Sequence, residues 1–344
     1  MAPRRLTALS SRKVIYAAIV GNLLVAATKF AAAALTGSSA MLSEAVHSVV
    51  DTGNSLLLLH GLHRAKQPPD HDHPMGYGRE IYFWSFVVAV MVFALGAGVS
   101  LYEGIAHVLS PEPITNAVVN YAVLGLSALF DGTTWWIALR NFKGSMRYSK
   151  LFSAIRKSKD PTSFMVLFED SAALIGLTIA FAATYFSVRL DLPILDGVAS
   201  ILISIVLAVT AALLARETKG LLMGEAADQP IVDSIIRIAE ATEGVAHANG
   251  IITVHLAPEQ IIVALSLEFS DELRTTDIEV KVSELETRLR DLQPTVIALF
   301  VKPQSSSGHK DSIARRYSPK SPAGVANPDL LPCFWADLCW EIPV

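Results

Sequence analysis

Long apolar runs occupy most of the first 214 residues of the chain, and a different pattern follows them. Each of six runs exceeds the roughly 20 residues that a helix needs to cross a hydrocarbon core. They lie at about 14–36, 38–62, 81–107, 116–140, 162–186 and 192–214. The pattern predicts an α-helical membrane bundle of six transmembrane helices over residues 14–214, preceded by an N-terminal tail over residues 1–13.

The chain beyond residue 215 has the shorter periods of a small soluble domain. After a linker over residues 215–229, "IVDSIIRIAEATEG" and "DIEVKVSELETRLRDL" have apolar positions at helical spacing. "IITVHL" and "IIVALSLEF", separated by "APEQ", predict a β-hairpin, and "TVIALFV" predicts a third strand. The order predicts an α+β domain with the pattern αββαβ over residues 230–303. Residues 304–344 lack periodicity, and we expect them to be disordered.

Composition and charge agree with a membrane protein and predict its orientation. Hydrophobic residues make up 52% of the chain and charged residues only 17%, against about 25% charged residues in soluble proteins. Four basic residues precede the first run and three separate the second from the third. Seven lie from the last residue of the fourth run, Arg140, to the start of the fifth. The other connectors contain zero, zero and one. This bias predicts a multi-pass protein with both termini in the cytoplasm, and we expect it in the plasma (inner) membrane.

The second apolar run carries ionisable side chains on one side. On a helix with about 100° per residue, Asn54, Asp51 and Glu44 fall within about 60° of His47. A charged group that faces lipid is costly, so this stripe should face protein or water inside a bundle. His47 and Asp51 are one helical turn apart, and zinc and neighbouring divalent metals favour an imidazole with a carboxylate. The alternative is that these groups only join helices by hydrogen bonds.

The fifth apolar run contains a complementary pair of carboxylates. Glu169 and Asp170 are adjacent, about 100° apart on a helix, so one should serve the site. The other would accept a proton or a hydrogen bond between helices. Asn22 in the first run offers a carbonyl oxygen to a metal or, as the alternative, an interhelical hydrogen bond. Lys29 and Asp131 are further charged residues within runs, and the sequence assigns no partner to either.

These motifs resemble those of a known family, the cation diffusion facilitators. "GSSAMLSEAVHSVVDTGN" is similar to the family's second-span signature, and "HPMGYGREIYFWSF" is similar to its loop before the third span. "KDPTSFMVLFEDSAALIGL" resembles the fifth span of a subgroup that includes zinc transporter 9-like proteins. The resemblance covers about residues 10–303. It implies a homodimer, with a ferredoxin-like cytoplasmic domain, that exports zinc or a similar divalent cation in exchange for protons.

The resemblance also implies a transport site, from which this chain departs at one position. Most members have four ligands, two from the second span and an HxxxD pair from the fifth. This chain matches three of them, at His47, Asp51 and Asp170. Val166 stands where the second histidine is expected, and Glu169, Asn22 or water would complete the shell. With fewer nitrogen ligands, iron, manganese and cobalt become alternatives to zinc as the transported ion.

The loop between the second and third runs contains a weaker candidate site. Some family members bind metal at positions that match Asp70, His73 and Tyr77, the last usually a histidine. Tyrosine is a poor zinc ligand, so Asp70 and His73 remain as a weak cytoplasmic-loop site. The alternative is a solvated polar turn fixed by a proline and two glycines. We interpret His247 and His255, in the predicted soluble domain, as ordinary surface residues.

Two other classes of function compete with transport. An integral-membrane hydrolase would bind a catalytic metal at His47 and Asp51 and use Glu169 as a base, and it would need a hydrophilic cleft. A non-transporting scaffold or regulator would carry a degenerate metal site. The chain has no GxxxxGK[ST] phosphate loop, which argues against an ATP-driven pump. We predict a divalent metal cation exporter, a zinc/proton antiporter, with membrane lipid, metal and protons as its partners. We expect no enzymatic activity, no cofactor and no nucleic-acid partner.

Overall fold

The structure is a computed structural model that describes residues 8–143 and 159–317. Within these ranges, the helical part consists of α1 (Ala8–Thr36), α2 (Ser39–Ala65), α3 (Glu80–Met91), α4 (Gly98–Leu109), α5 (Ala117–Lys143), α6 (Pro161–Leu190) and α7 (Ile194–Met223). A π-helical segment, Val92–Ala97, joins α3 to α4. The third apolar run is therefore a continuous helix with a local change in hydrogen-bond register.

Three helical stretches in the described part of the chain are long and apolar enough to cross a membrane. They are Glu80–Leu109, Phe164–Leu190 and Ile194–Met223, with mean hydropathies of 2.1, 1.7 and 2.7. α1, α2 and α5 contain 29, 27 and 27 residues. At about 1.5 Å per residue they are also long enough, but α2 carries the stripe of ionisable side chains. The predicted total of six spans remains a proposal.

α2 is the central helix of the bundle, in contact with α1, α3, α4, α6 and α7. Small residues permit close approach between the helices, as at the crossing of α4 and α7. A Cβ atom at Gly104 would lie 2.8 Å from the backbone nitrogen of Ile201, and one at Gly197 would lie 2.9 Å from that of Val108. Tight crossings of this kind bring backbones together without large side chains between them.

A side chain of α7 caps the beginning of α2. Ser38 Oγ donates to Asp196 Oδ1 at 2.9 Å, and the backbone nitrogen of Ala40 donates to Asp196 Oδ2 at 3.2 Å. One turn further along both helices, Ser43 Oγ donates to Ser200 Oγ at 3.0 Å. Asp196 is fully buried, so these hydrogen bonds satisfy a carboxylate that would otherwise be costly inside the bundle.

The chain after α7 forms a small three-stranded sheet with helices beside it. Its elements are α8 (Gln229–Glu240), β1 (Val245–Ala257), β2 (Gln260–Phe269), α9 (Thr275–Leu292), β3 (Val296–Pro303) and α10 (Ser306–Tyr317). The strand order is β1-β2-β3; β1 and β2 are antiparallel, and β2 and β3 are parallel. The predicted hairpin and the αββαβ order of elements are confirmed, and the ferredoxin-like arrangement stays a prediction.

Two segments of this domain differ from the sequence prediction. β1 begins at Val245 rather than at the predicted "IITVHL", because irregular register near Ala248 and Gly250 lets polar and glycine residues continue the strand. The expectation of disorder from residue 304 is wrong for α10. Ser306 Oγ donates to Glu268 Oε2 at 2.9 Å, which joins the start of this helix to β2. Residues 318–344 lie outside the described residues.

The linker after α7 connects the two parts of the molecule by hydrogen bonds to β1. The backbone nitrogen of His255 donates to the Glu225 carbonyl at 2.9 Å, and that of Ala227 donates to Thr253 Oγ1 at 2.9 Å. Lys159, just before α6, forms an ion pair with Glu225. The sheet is therefore held directly against the ends of the helical bundle.

Candidate metal site

The polar stripe of α2 faces protein, as the sequence predicts. His47 is 2% exposed and the side chain of Asp51 is 26% exposed, and His47 Nε2 lies 3.4 Å from Asp51 Oδ2. Asn54, two turns after His47, is fully buried. An α-helix places these three positions on one side, and the contacts of α2 with helices on several sides remove that side from lipid.

α6 brings carboxylates to the same level of the bundle. Glu169 Oε1 accepts a hydrogen bond from Asn54 Nδ2 at 2.9 Å. Asp170 is half-buried, and both carboxylates lie close enough to Asp51 for the charges to interact. Val166, at the position of the expected histidine, is 40% exposed, whereas Glu169 is 8% exposed. α6 therefore turns Glu169, rather than the position of Val166, towards the interior.

Unpaired polar atoms are concentrated at this place. Within the described residues, five buried side-chain atoms of the site have no hydrogen-bond partner: His47 Nδ1 and Nε2, Asp51 Oδ1, Asn54 Oδ1 and Asp170 Oδ2. Buried polar groups are normally paired, so such a concentration is typical of a site that binds a ligand. The described ranges contain no group of three His, Cys, Asp or Glu side chains close enough to hold an ion. The predicted ligand set therefore stays a proposal.

A buried ion pair lies beside the stripe. Lys29 Nζ on α1 lies 3.2 Å from Glu44 Oε2 and donates to Ser48 Oγ at 2.9 Å, and both charged side chains are fully buried. Asp131 Oδ2 on α5 lies 3.9 Å from the same ammonium group. Lys29 is the partner that the sequence could not assign to Asp131. The one indication of this pair in the sequence is that two opposite charges lie in separate apolar runs. This network joins α1, α2 and α5 next to His47.

Asn22, the other candidate on α1, is half-buried about two turns before Lys29. Among the described residues, its side chain forms no hydrogen bond with the stripe or with the carboxylates of α6. Nothing in the geometry therefore brings Asn22 to the site, and its participation stays a prediction.

The loop with Asp70 and His73 has a different character. Tyr77 Oη donates to Asp70 Oδ2 at 2.6 Å, the backbone nitrogen of His73 donates to Asp70 Oδ1 at 2.7 Å, and His73 Nδ1 lies 3.4 Å from Asp70 Oδ1. The hydrogen bond from Tyr77 is the main cause that lowers the pKa of Asp70 below its usual value. Both carboxylate oxygens are thus already used within an exposed loop, which favours the polar turn over a metal site.

The two histidines of the sheet domain differ from each other. His247 is exposed, with Nδ1 3.5 Å from Glu240 Oε1. His255 is buried, and its Nδ1 lies 3.2 Å from the Ala257 carbonyl oxygen. The interpretation of His255 as a surface residue is therefore wrong, because β1 directs it into the contact with the linker. Burial lowers the pKa of His255 below its usual value, so the ring is neutral near pH 7.

A cavity of about 880 Å³ lies where the ends of α2 and α3 meet the sheet. His60, Arg64, Tyr77 and Trp84 line it, together with Leu256 and Ile262 of the hairpin. The proposed ligands of the stripe and of α6 do not line this cavity. A membrane hydrolase would need a cleft at those ligands, so this cavity gives no support to hydrolysis at the stripe.

The fold and the site define an integral-membrane protein with a buried ionisable centre and a small α+β domain. A family model, the cation efflux transmembrane domain, matches residues 15–223 of the chain. The chain belongs to this cation efflux family, the cation diffusion facilitators, and falls in its zinc transporter 9-like group.

Individual relatives extend this assignment. The chain is 32% identical to metal tolerance protein C4 of Arabidopsis thaliana over 66% of this chain and 50% of that protein. It is 29% identical to the mitochondrial proton-coupled zinc antiporter SLC30A9 of Mus musculus, over 76% of this chain and 47% of that protein. An uncharacterized transporter of Methanocaldococcus jannaschii is 23% identical over 82% of this chain and 94% of its own length. The chain spans about half the length of the first two relatives.

Proposed function

We propose that the protein is a divalent metal cation exporter, a zinc/proton antiporter that moves metal out of the cytoplasm. The observation that carries this proposal is the polar stripe of α2, in which His47 and Asp51 form a pair and Asn54 bonds across to Glu169 of α6, in buried surroundings that leave several polar atoms unpaired. Membership of the cation efflux family supports transport of a cation. The printed name of the mouse relative supports zinc and protons.

The chemistry of these side chains couples metal to protons. A divalent ion binds to the neutral form of an imidazole and to ionised carboxylates, so its arrival displaces protons from them. Bound metal also offsets the negative charge of the carboxylates, which lowers the cost of enclosing them between apolar helices. Reprotonation on the other side of the membrane would release the metal. The proton gradient would then set the direction of transport.

The proposed arrangement in the membrane has six spans, formed by α1, α2, the α3–α4 helix, α5, α6 and α7. Both termini would lie in the cytoplasm, and α8 to β3 would form a ferredoxin-like domain in a homodimer. The plasma (inner) membrane is the proposed location, while the mouse relative is named as mitochondrial. Both membranes maintain a proton gradient, so the proposed exchange could operate in either.

Metal flux in sealed vesicles tests the proposal. The full chain, reconstituted into liposomes with a pH difference across the membrane, should take up zinc with movement of protons in the opposite direction. Asp51→Ala and Asp170→Ala should each abolish this flux. Thr52→Val is a matched control on α2, because the Thr52 hydroxyl donates only to the Ser48 carbonyl of its own helix, at 2.9 Å. Flux that neither alanine variant changes would contradict the proposal.

A second candidate function is a non-transporting scaffold or regulator. Two observations favour it: Val166 replaces the expected histidine on an exposed position, and no three potential ligands among the described residues converge closely. Its signature would be zinc binding without flux in the same vesicles. Proton-coupled zinc movement by the unmodified chain would exclude it.

A further inference from the structure

Asn54 is a polar residue of the α2 stripe to which the family's ligand pattern gives no role. It lies seven residues after His47 and three after Asp51, and its side chain is fully buried. Its Nδ2 donates to Glu169 Oε1 at 2.9 Å. Its Oδ1 has no hydrogen-bond partner in the part of the chain that the structure describes. The amide nitrogen is therefore bonded to α6, and the amide oxygen is buried without a partner among the described residues.

The hydrogen bond to Glu169 shows which way the amide faces. Its NH₂ group is turned towards Glu169 Oε1, so the carbonyl oxygen on the other side of the same planar group points elsewhere. A buried amide oxygen without a donor is unfavourable unless a cation or a water molecule pairs with it. An oxygen of this kind, on the same side of α2 as His47 and Asp51 and on an amide that is bonded to Glu169, is a suitable ligand for a divalent cation.

The position of Val166 explains why such a residue matters in this chain. Val166 is largely exposed, whereas Glu169 is buried and bonded across to α2. We propose that Asn54 and Glu169 act as a unit in place of the missing histidine, with Asn54 holding Glu169 and adding its own carbonyl oxygen to the site. This inference rests on the proposed transport function. It predicts an oxygen-rich site, which accepts harder ions such as manganese alongside zinc.

Asn54→Leu, which removes both the donor and the oxygen at similar volume, tests this role. Zinc is satisfied with four ligands, whereas manganese depends on more oxygen ligands. The substitution should therefore reduce mainly the affinity for manganese. We expect manganese affinity to decrease by about tenfold or more, as is usual when a group that orients a metal ligand is removed. Zinc affinity should change much less, so the ratio of the two affinities should rise by about tenfold.

Equilibrium binding by calorimetry of the full chain in detergent is the primary measurement, with zinc and manganese as separate titrants. Thr52→Val is the matched control, because it is a buried polar residue of the same helix whose hydroxyl bonds within that helix. The ratio should be unchanged in this control. A role of Asn54 in folding alone would lower the melting temperature without moving the ratio, and that result would overturn the proposal.

A double variant tests whether Asn54 acts through Glu169. Glu169→Gln should itself raise the zinc-to-manganese ratio. Adding Asn54→Leu should then raise the ratio by less than Asn54→Leu does alone, because only the carbonyl oxygen, and no longer the support of Glu169, is lost. Independent, additive shifts would overturn the idea of a unit, as would an unchanged ratio in either single variant or no binding of either metal by the unmodified chain. Binding with the predicted ratio but without flux would instead defeat the transport function and leave the assignment of Asn54 intact.

Discussion

Two aspartate–histidine pairs of this protein have the same nitrogen-to-oxygen distance and very different surroundings. His47 and Asp51 are 3.4 Å apart on α2, with 2% and 26% of their side chains exposed. His73 and Asp70 are also 3.4 Å apart, on the loop before α3, with 53% and 48% exposed. Each oxygen of the loop carboxylate accepts a hydrogen bond from its own turn, whereas Asp51 Oδ1 has no partner among the described residues.

The difference teaches that residue type and the distance within a pair do not separate a proposed ligand pair from a polar turn. Water and the hydrogen bonds of the turn satisfy the polar atoms of the exposed pair, so these atoms do not need a metal as a partner. The buried pair cannot obtain either compensation, and carboxylates from α6 add to the same unbalanced charge. Burial without partners, together with convergence from a second helix, is what distinguishes the site on α2.

Ion pairs provide the largest test of this contrast. Lys29→Met should lower the free energy of unfolding by about 3–5 kcal/mol, because it leaves the carboxylate of Glu44 buried without its partner. Arg64→Met breaks a partly exposed pair with Glu80 of nearly equal length, 3.1 Å, and should cost less than about 1 kcal/mol. Equilibrium denaturation in mixed micelles measures both. Equal losses would show that burial does not govern these pairs.

A glycine on α6 allows a second test of how tightly the buried region is built. A methyl group at Gly176 would clash with Glu44 Oε1, and this side chain has little room to turn away because it is fully buried and paired with Lys29. Gly176→Ala should therefore destabilise the protein by about 1–3 kcal/mol. Gly125→Ala on α5 is the control, because a Cβ atom there meets nothing within 4 Å. It should be neutral or stabilising by up to about 1 kcal/mol. Similar thermal stability of the two variants would contradict the packing described around Glu44.

His255 tests whether burial alone has a measurable consequence for a histidine. Its folded pKa lies below the unfolded value of 6.5, so the unfolded chain binds more protons and stability should fall as the pH drops through about 6.5. His255→Gln should remove this contribution, which has a maximum slope of about 1.4 kcal/mol per pH unit. Unfolding at pH 5.5 and 7.5 measures it. An unchanged pH dependence in the variant would mean that His255 is solvated after all.

The loop pair should produce the smallest effect. Asp70→Asn and Tyr77→Phe change an exposed turn whose hydrogen bonds are local. We therefore expect the free energy of unfolding to change by less than about 0.5 kcal/mol, and zinc flux to change by less than roughly twofold. The same vesicle assay as for Asp51→Ala makes the comparison direct. A tenfold loss of flux in Asp70→Asn would mean that the loop takes part in transport, and the contrast between the two pairs would fail.

The sequence predicted what a single helix determines and missed what depends on two. The period of the α-helix places His47, Asp51 and Asn54 on one side, and this was predictable without a structure. The hydrogen bond from Asn54 to Glu169 and the approach of Lys29 to Asp131 depend on how helices cross, which no local pattern encodes. For the same reason, the sequence identified Val166 at the position of the expected histidine but could not show how exposed that position is.

Other differences have local causes. The π-helical segment Val92–Ala97 changes the hydrogen bonding of an apolar run without changing its composition, so hydropathy could not detect it. α10 lacks an apolar stripe, and contacts at its beginning, such as that of Ser306 with Glu268, hold it on the sheet. His255 is buried because the linker after α7 covers β1, a contact between segments that pattern analysis treats separately.

The capping of α2 by Asp196 has a consequence for how the protein is made. The first amides of the central helix are completed by a carboxylate 156 residues later in the chain. Until α7 has been synthesised and inserted, the helix that carries His47 lacks this anchor at its first residues. Assembly of the bundle therefore cannot finish hairpin by hairpin in the order of translation, and a chain that ends before residue 194 would leave its most important helix incomplete.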